Sequence, residues 1–95
     1  MALLAKETTK EKYSRLLQQP QWFVKRQQII ARDGGQCQNC GTTTQLQAHH
    51  RQYHFIIKAN DFRLPWEYDD DNYVTLCSTC HAEGHKRYKV PVFNI

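Results

Sequence analysis

At 95 residues, 40% hydrophobic and 23% charged, the chain suits a single domain with a modest core; it is too apolar for disorder and small enough to need a staple. Its net charge of +4 suits a polyanionic partner. No apolar run approaches a membrane span, and residues 2–5, four apolar residues ahead of Lys6, fall short of a secretory-signal core, so the four cysteines are read in a reducing compartment.

Residues 1–8 read as a frayed start. Thr8 or Thr9 is placed to cap a helix, with Glu11 near its positive end and Tyr13, Leu16 and Leu17 forming an apolar face. Pro20 ends that helix near Gln18 and suits the first turn of the next. There Trp22, Phe23, Arg26, Ile29 and Ile30 recur at helical spacing, the apolar ones as core. Lys25, Arg26 and Arg32 are read either as a solvated face or as contacts to a phosphate backbone. Asp33-Gly34-Gly35 stops the helix. Residues 1–35 are thus a helical lead-in and residues 36–95 the core, within one compact α+β domain.

Cys37 and Cys40, then Cys77 and Cys80, form two Cys-x-x-Cys pairs, and four thiolates at this spacing read as one structural zinc site. Residues 46–50 read as a short strand that brings back His49 and His50. Alternation sends these two to opposite faces, so the strand must end or bulge if both serve one site. As an imidazole at a strand end, His50 is expected outside the core. Residues 51–71 are too apolar for a linker and are expected to pack as a loop with one helical turn. Asp69, Asp70 and Asp71 are either a solvated turn or a metal site. Residues 73–76 form a second strand, antiparallel to the first. The second cysteine pair then runs into a helix capped by Ser78 or Thr79, on which His81 and His85 share a face at i and i+4. Gly84 inside it suggests a close approach of backbone or ligand, and Val90-Pro91 stops it.

Zinc would fix where both strands and the helix leave the cysteine knot, so the imidazoles converge. Because four thiolates saturate one zinc, they are free for a second metal or for proton transfer. In this respect Asp33-Gly34-Gly35-Gln36-Cys37-Gln38-Asn39-Cys40, Leu46 through His50, and Asn72-Tyr73-Val74-Thr75-Leu76-Cys77-Ser78-Thr79-Cys80-His81 resemble the HNH endonucleases, in their zinc-stapled ββα-metal branch. The resemblance spans roughly residues 30 to 88. It is weaker over the helical lead-in, which is similar to that of small bacterial and phage members.

The resemblance implies a ββα-metal (His-Me finger) fold and a metal-dependent DNA endonuclease. In it His50 matches the general base and Asn72 the asparagine that holds the base-bearing loop. His81 matches a ligand of the catalytic divalent metal, His85 matches an extra ligand found in some members, and His49 stands where many members have aspartate. An imidazole there favours Mn²⁺, Ni²⁺, Co²⁺ or Zn²⁺ over Mg²⁺. Arg51, Lys86, Arg87 and Lys89 are expected near the backbone of double-stranded DNA, or as a solvated face. One metal and one base imply nicking by a monomer, with 5′-phosphate and 3′-hydroxyl ends; a double-strand break needs a homodimer or two events. The implied setting is the cytoplasm of a bacterium or a phage-infected host. The alternative is a non-catalytic zinc-binding module for nucleic acid.

Overall fold

A computed structural model describes residues 7–95. The frayed start expected over residues 1–8, and the apolar run at 2–5, lie outside the described residues as far as residue 6.

In chain order the elements are α1 (Thr9–Leu16), α2 (Pro20–Arg32), β1 (Leu46–His50), β2 (Tyr53–Ile56), β3 (Asp61–Phe62), a 3-10 turn (Asp70–Asn72), β4 (Tyr73–Cys77), α3 (Ser78–Arg87) and β5 (Val92–Asn94). Thr8 caps α1 through a reciprocal pair of bonds. Its hydroxyl accepts the Glu11 N–H at 3.0 Å, and the Glu11 carboxylate accepts the Thr8 N–H at 3.3 Å. Pro20 opens α2 at its first position, where the missing N–H costs nothing. At the other end Gly34 and Gly35 take φ of +75° and +70° and return their N–H groups to Ala31 and Ile30.

Strands β1 and β4 pair antiparallel without interruption, from Leu46 opposite Cys77 to His50 opposite Tyr73. The pleat sorts their side chains to two faces. Ala48, His50, Tyr73 and Thr75 are buried, and Trp22 and Ile29 of α2 are buried with them. Each of these two large side chains contributes about 1.5–3 kcal/mol by leaving water. The opposite face carries His49, whose ring meets those of His81 and His85 on α3. The two-stranded sheet therefore lies between α2 and α3.

Three basic residues of α2 bond to the protein's own carbonyls and carboxylates, Lys25 and Arg26 half-buried and Arg32 exposed. Arg26 donates to the Leu46 carbonyl at 2.6 Å. Arg32 donates to the carbonyls of Asp70 at 2.6 Å and Tyr73 at 2.8 Å, and Lys25 pairs with Asp70. They clamp the helical lead-in to the ends of the sheet. Phe23, expected in the core, is half exposed. All three aspartates are exposed around the 3-10 turn, in keeping with the solvated-turn alternative, and Asp70 pairs with Lys25.

Residues 51–71 are more regular than a packed loop. β2 pairs antiparallel with β3 and parallel with β5, giving a second sheet in the order β3-β2-β5. Two further expectations about α3 are corrected. Its N-cap is Cys77, whose sulfur accepts the Cys80 N–H at 3.4 Å, in place of Ser78 or Thr79. Gly84 faces open space, with nothing among the described residues within 4 Å of where a Cβ would stand, so no close backbone approach explains it. No helix among the described residues is long and apolar enough to cross a membrane.

Candidate metal centre

The unbroken β1–β4 ladder and the turn before it deliver all four cysteines to one point. The sulfurs of Cys37, Cys40, Cys77 and Cys80 lie within 4.8 Å of one another. All four are free thiols, so no disulfide competes for them. Cys40 Sγ and Cys77 Sγ are 3.7 Å apart. A tetrahedral zinc with sulfur bonds of about 2.3 Å sets its sulfurs about 3.8 Å apart, so the set fits one zinc ion. The surroundings favour thiolate at Cys37 and oppose it at Cys80. Burial opposes ionisation of Cys37, yet the N–H groups of Cys40, Cys77 and Asn39 bring it down to about 6. Asn39 also donates to Cys80 Sγ at 3.2 Å. Against that bond, its thiol neighbours and its burial hold Cys80 up at about 12. Four negative sulfurs at this spacing repel one another until a dication sits between them.

A second cluster joins β1 to α3. His49 comes from the α3-facing side of β1, and His81 and His85 from one face of α3. One ring nitrogen from each lies within 4.8 Å of the others, and the Nε2 atoms of His81 and His85 are 3.0 Å apart. With metal–nitrogen bonds of about 2.0–2.1 Å, imidazoles on one ion stand at comparable separations. Burial, reinforced by His81 and His85, pushes His49 down to about 4; burial and then His85 lower His81 as well. The lowered rings are neutral near pH 7 and present lone pairs. The donor set fits a divalent transition metal.

His50 does not join this cluster. β1 has no bulge, so His50 points to the α2 side and is only 5% exposed, contrary to the expectation for a strand end. Trp22 stacks on it with centroids 5.1 Å apart at 15°, and Tyr53 stacks at 5.3 Å and 29°. Its Nε2 lies 2.9 Å from the Pro65 carbonyl. A carbonyl only accepts, so that nitrogen carries the proton and Nδ1 keeps the lone pair. Burial pushes His50 down to about 4 against the opposing effect of the Pro65 carbonyl.

His49, His50, His81 and His85 nevertheless line one cleft of about 240 Å³ along the outer edge of β1, with Arg26, Trp22 and Tyr53. A larger open depression of about 460 Å³ on α3, lined by Asn39, Glu83, Gly84 and Arg87 among others, gathers no imidazoles. Asn72 is tied to the turn after His50: its carbonyl accepts the Arg51 N–H at 2.7 Å, and its side-chain oxygen accepts from Gln52. Arg51, Lys86, Arg87 and Lys89 are all exposed. Lys86 makes only a loose 3.8 Å pair with Glu83. Trp22, Tyr53 and the Pro65 carbonyl were not foreseen at the site. The aromatic richness of residues 53–68 was the one available signal.

The buried rings make a prediction about acid. An imidazole in the unfolded chain titrates near 6.5, whereas His49 and His50 titrate near 4 in the folded domain. As pH falls from about 6.5 to about 4, the unfolded chain takes up protons that the folded one refuses. Stability is therefore full above that window and falls within it, by about 3 kcal/mol for His50 alone. Melting temperatures measured across the window should drop steadily, and His50→Phe should flatten the drop.

Comparison with family models, with curated proteins and with solved structures found no match to this chain.

Proposed function

We propose that the protein is a metal-dependent endonuclease of the HNH type, built on a zinc-stapled ββα-metal unit, that hydrolyses phosphodiester bonds of double-stranded DNA. The observation that carries the proposal is the convergence of His49, His81 and His85 on a cleft also lined by His50, on a strand-strand-helix unit held by four cysteines.

A divalent metal held by the three imidazoles would supply Lewis-acid stabilisation of the charge that develops on a phosphodiester. The chain's own residues supply the rest. His50, its Nε2–H engaged by Pro65, would accept a proton from water at Nδ1. It is neutral near pH 7 and needs no prior deprotonation. Burial disfavours the imidazolium formed on accepting the proton, and the ring faces of Trp22 and Tyr53 offset part of that cost. Asn72 would hold the turn that follows His50 through its bonds to Arg51 and Gln52. Arg51, Lys86, Arg87 and Lys89 are exposed and, among the described residues, would meet phosphates without surrendering a strong side-chain partner. One base per chain makes one cut, so a monomer nicks, leaving 5′-phosphate and 3′-hydroxyl ends, and paired cuts need a homodimer or two events.

The test is nicking of supercoiled plasmid after mild chelation, with metals returned one at a time. The imidazole donors predict that Mn²⁺, Ni²⁺ or Co²⁺ restores nicking better than Mg²⁺, which prefers oxygen ligands. Activity with Mg²⁺ alone would mean that carboxylates, and not this cluster, hold the metal.

The deep burial of His50 favours a second reading, in which it is a packing residue and the chain a non-catalytic zinc-binding module for nucleic acid. Such a module would bind DNA and leave it intact with every metal.

A further inference from the structure

Tyr73 is among the most deeply buried side chains of the domain, at 1% exposure, and sits directly opposite His50 in the β1–β4 ladder. Its hydroxyl is not idle. It donates to the Pro65 carbonyl at 2.6 Å, and it accepts the Tyr68 N–H at 3.2 Å. The same Pro65 oxygen takes the Nε2–H of His50 at 2.9 Å. A carbonyl oxygen has two lone pairs, and here both are used, one by each donor. Burial drives the Tyr73 phenol up, so it keeps its proton and remains a donor throughout the neutral range. Phenylalanine would fill the same space and supply neither bond.

From this chain of bonds we infer that Tyr73 is a positioning residue: by fixing the Pro65 carbonyl it holds His50 in the tautomer whose lone pair is on Nδ1. The inference rests on the proposed nuclease reading for its consequence, but the tautomer is a property of the protein alone. Trp22 and Tyr53 clamp the two faces of the ring, and neither distinguishes its nitrogens. Two contacts at the ring edge do so, both at Nε2: the Pro65 carbonyl at 2.9 Å, which can only accept, and the Tyr13 hydroxyl at the longer distance of 3.4 Å. The shorter contact, supplied by Pro65, puts the proton on Nε2. That carbonyl lies in the segment between β3 and β4, outside any ladder, and Tyr73 is what ties it to the sheet. Without the hydroxyl the carbonyl is free to turn, and the proton redistributes between the two nitrogens.

The experiment is ¹⁵N-detected NMR of the His50 imidazole in the zinc-loaded protein and in Tyr73→Phe, with plasmid nicking rates on the same samples. The wild type should carry its proton on Nε2. In Tyr73→Phe the population should move toward Nδ1, and kcat should fall by about three- to tenfold, the worth of one orienting hydrogen bond, with KM and zinc content unchanged. A wild-type proton on Nδ1 would overturn the inference even if the variant failed to fold. So would a folded Tyr73→Phe whose His50 signals and rate match the wild type. A tautomer that shifts in a protein that never nicks would uphold the positioning role and sink the nuclease reading.

Discussion

Removing the zinc from the four-cysteine site is expected to unfold the whole domain. The magnitudes decide this. A structural zinc contributes about 10–16 kcal/mol at neutral pH, and a small domain has about 5–15 kcal/mol of net stability in total. The buried hydrophobic set is short, essentially Trp22, Ile29, Ala48, Tyr68 and Tyr73 beyond the cysteines themselves. Cys77 is the most consequential ligand: it ends β4, caps α3 and stands opposite Leu46 at the start of β1. Cys77→Ser, or a strong chelator, should therefore abolish the helical circular dichroism and the cooperative melt together. A weak chelator should leave one zinc per chain. A protein that keeps its melt with less than one zinc would show that the thiols are not the staple.

The second large effect concerns His50. Its burial changes which substitution is informative. His50→Ala would empty a site walled by Trp22, Tyr53, Tyr68 and Tyr73, at a cost of about 3–5 kcal/mol if it behaves as loss of a buried aromatic ring does. Lost cleavage could then reflect lost fold. His50→Phe keeps a flat ring between Trp22 and Tyr53 and removes both nitrogens. It should retain the zinc, the melt and DNA binding, while nicking falls by about 10²–10⁴, the usual worth of a positioned general base. If His50 only packs, nicking per folded molecule stays unchanged in the same variant.

What the sequence made legible was local. The Thr8–Glu11 capping pair, Pro20, the glycines after Asp33 and the two Cys-x-x-Cys turns each declare themselves within a few residues. The bounds of β1 were foreseen, and β4 ran one residue beyond expectation, to Cys77. The alternation rule placed His49 and His50 on opposite faces. What covers each face is a matter of tertiary packing, so the Trp22–His50 stack was not readable. The same holds for Arg26 and Arg32, whose carbonyl partners lie at least 20 residues away in sequence. The β3-β2-β5 sheet failed for a related reason. Its parallel pair joins Tyr53 to Val92 with no connecting turn to announce it, and β5 has only three residues. Alternation across residues 53–56 and Asn60 in the left-handed region, at φ 52°, were the available hints of the β2–β3 hairpin.

The proposed nuclease function rests on the three-imidazole cluster. It is tested most directly by comparing wild type with His81→Ala in the nicking of supercoiled plasmid. Both would be zinc-loaded, mildly chelated and then given Mn²⁺. His81 is half-buried on the surface of α3 and is no ligand of the cysteine site, so the variant should keep its zinc and its melting temperature. The account predicts open circles from the wild type and none above background from His81→Ala. Equal nicking by the two proteins, or an inert wild type with Mn²⁺, Ni²⁺, Co²⁺ and Mg²⁺ alike, would contradict it.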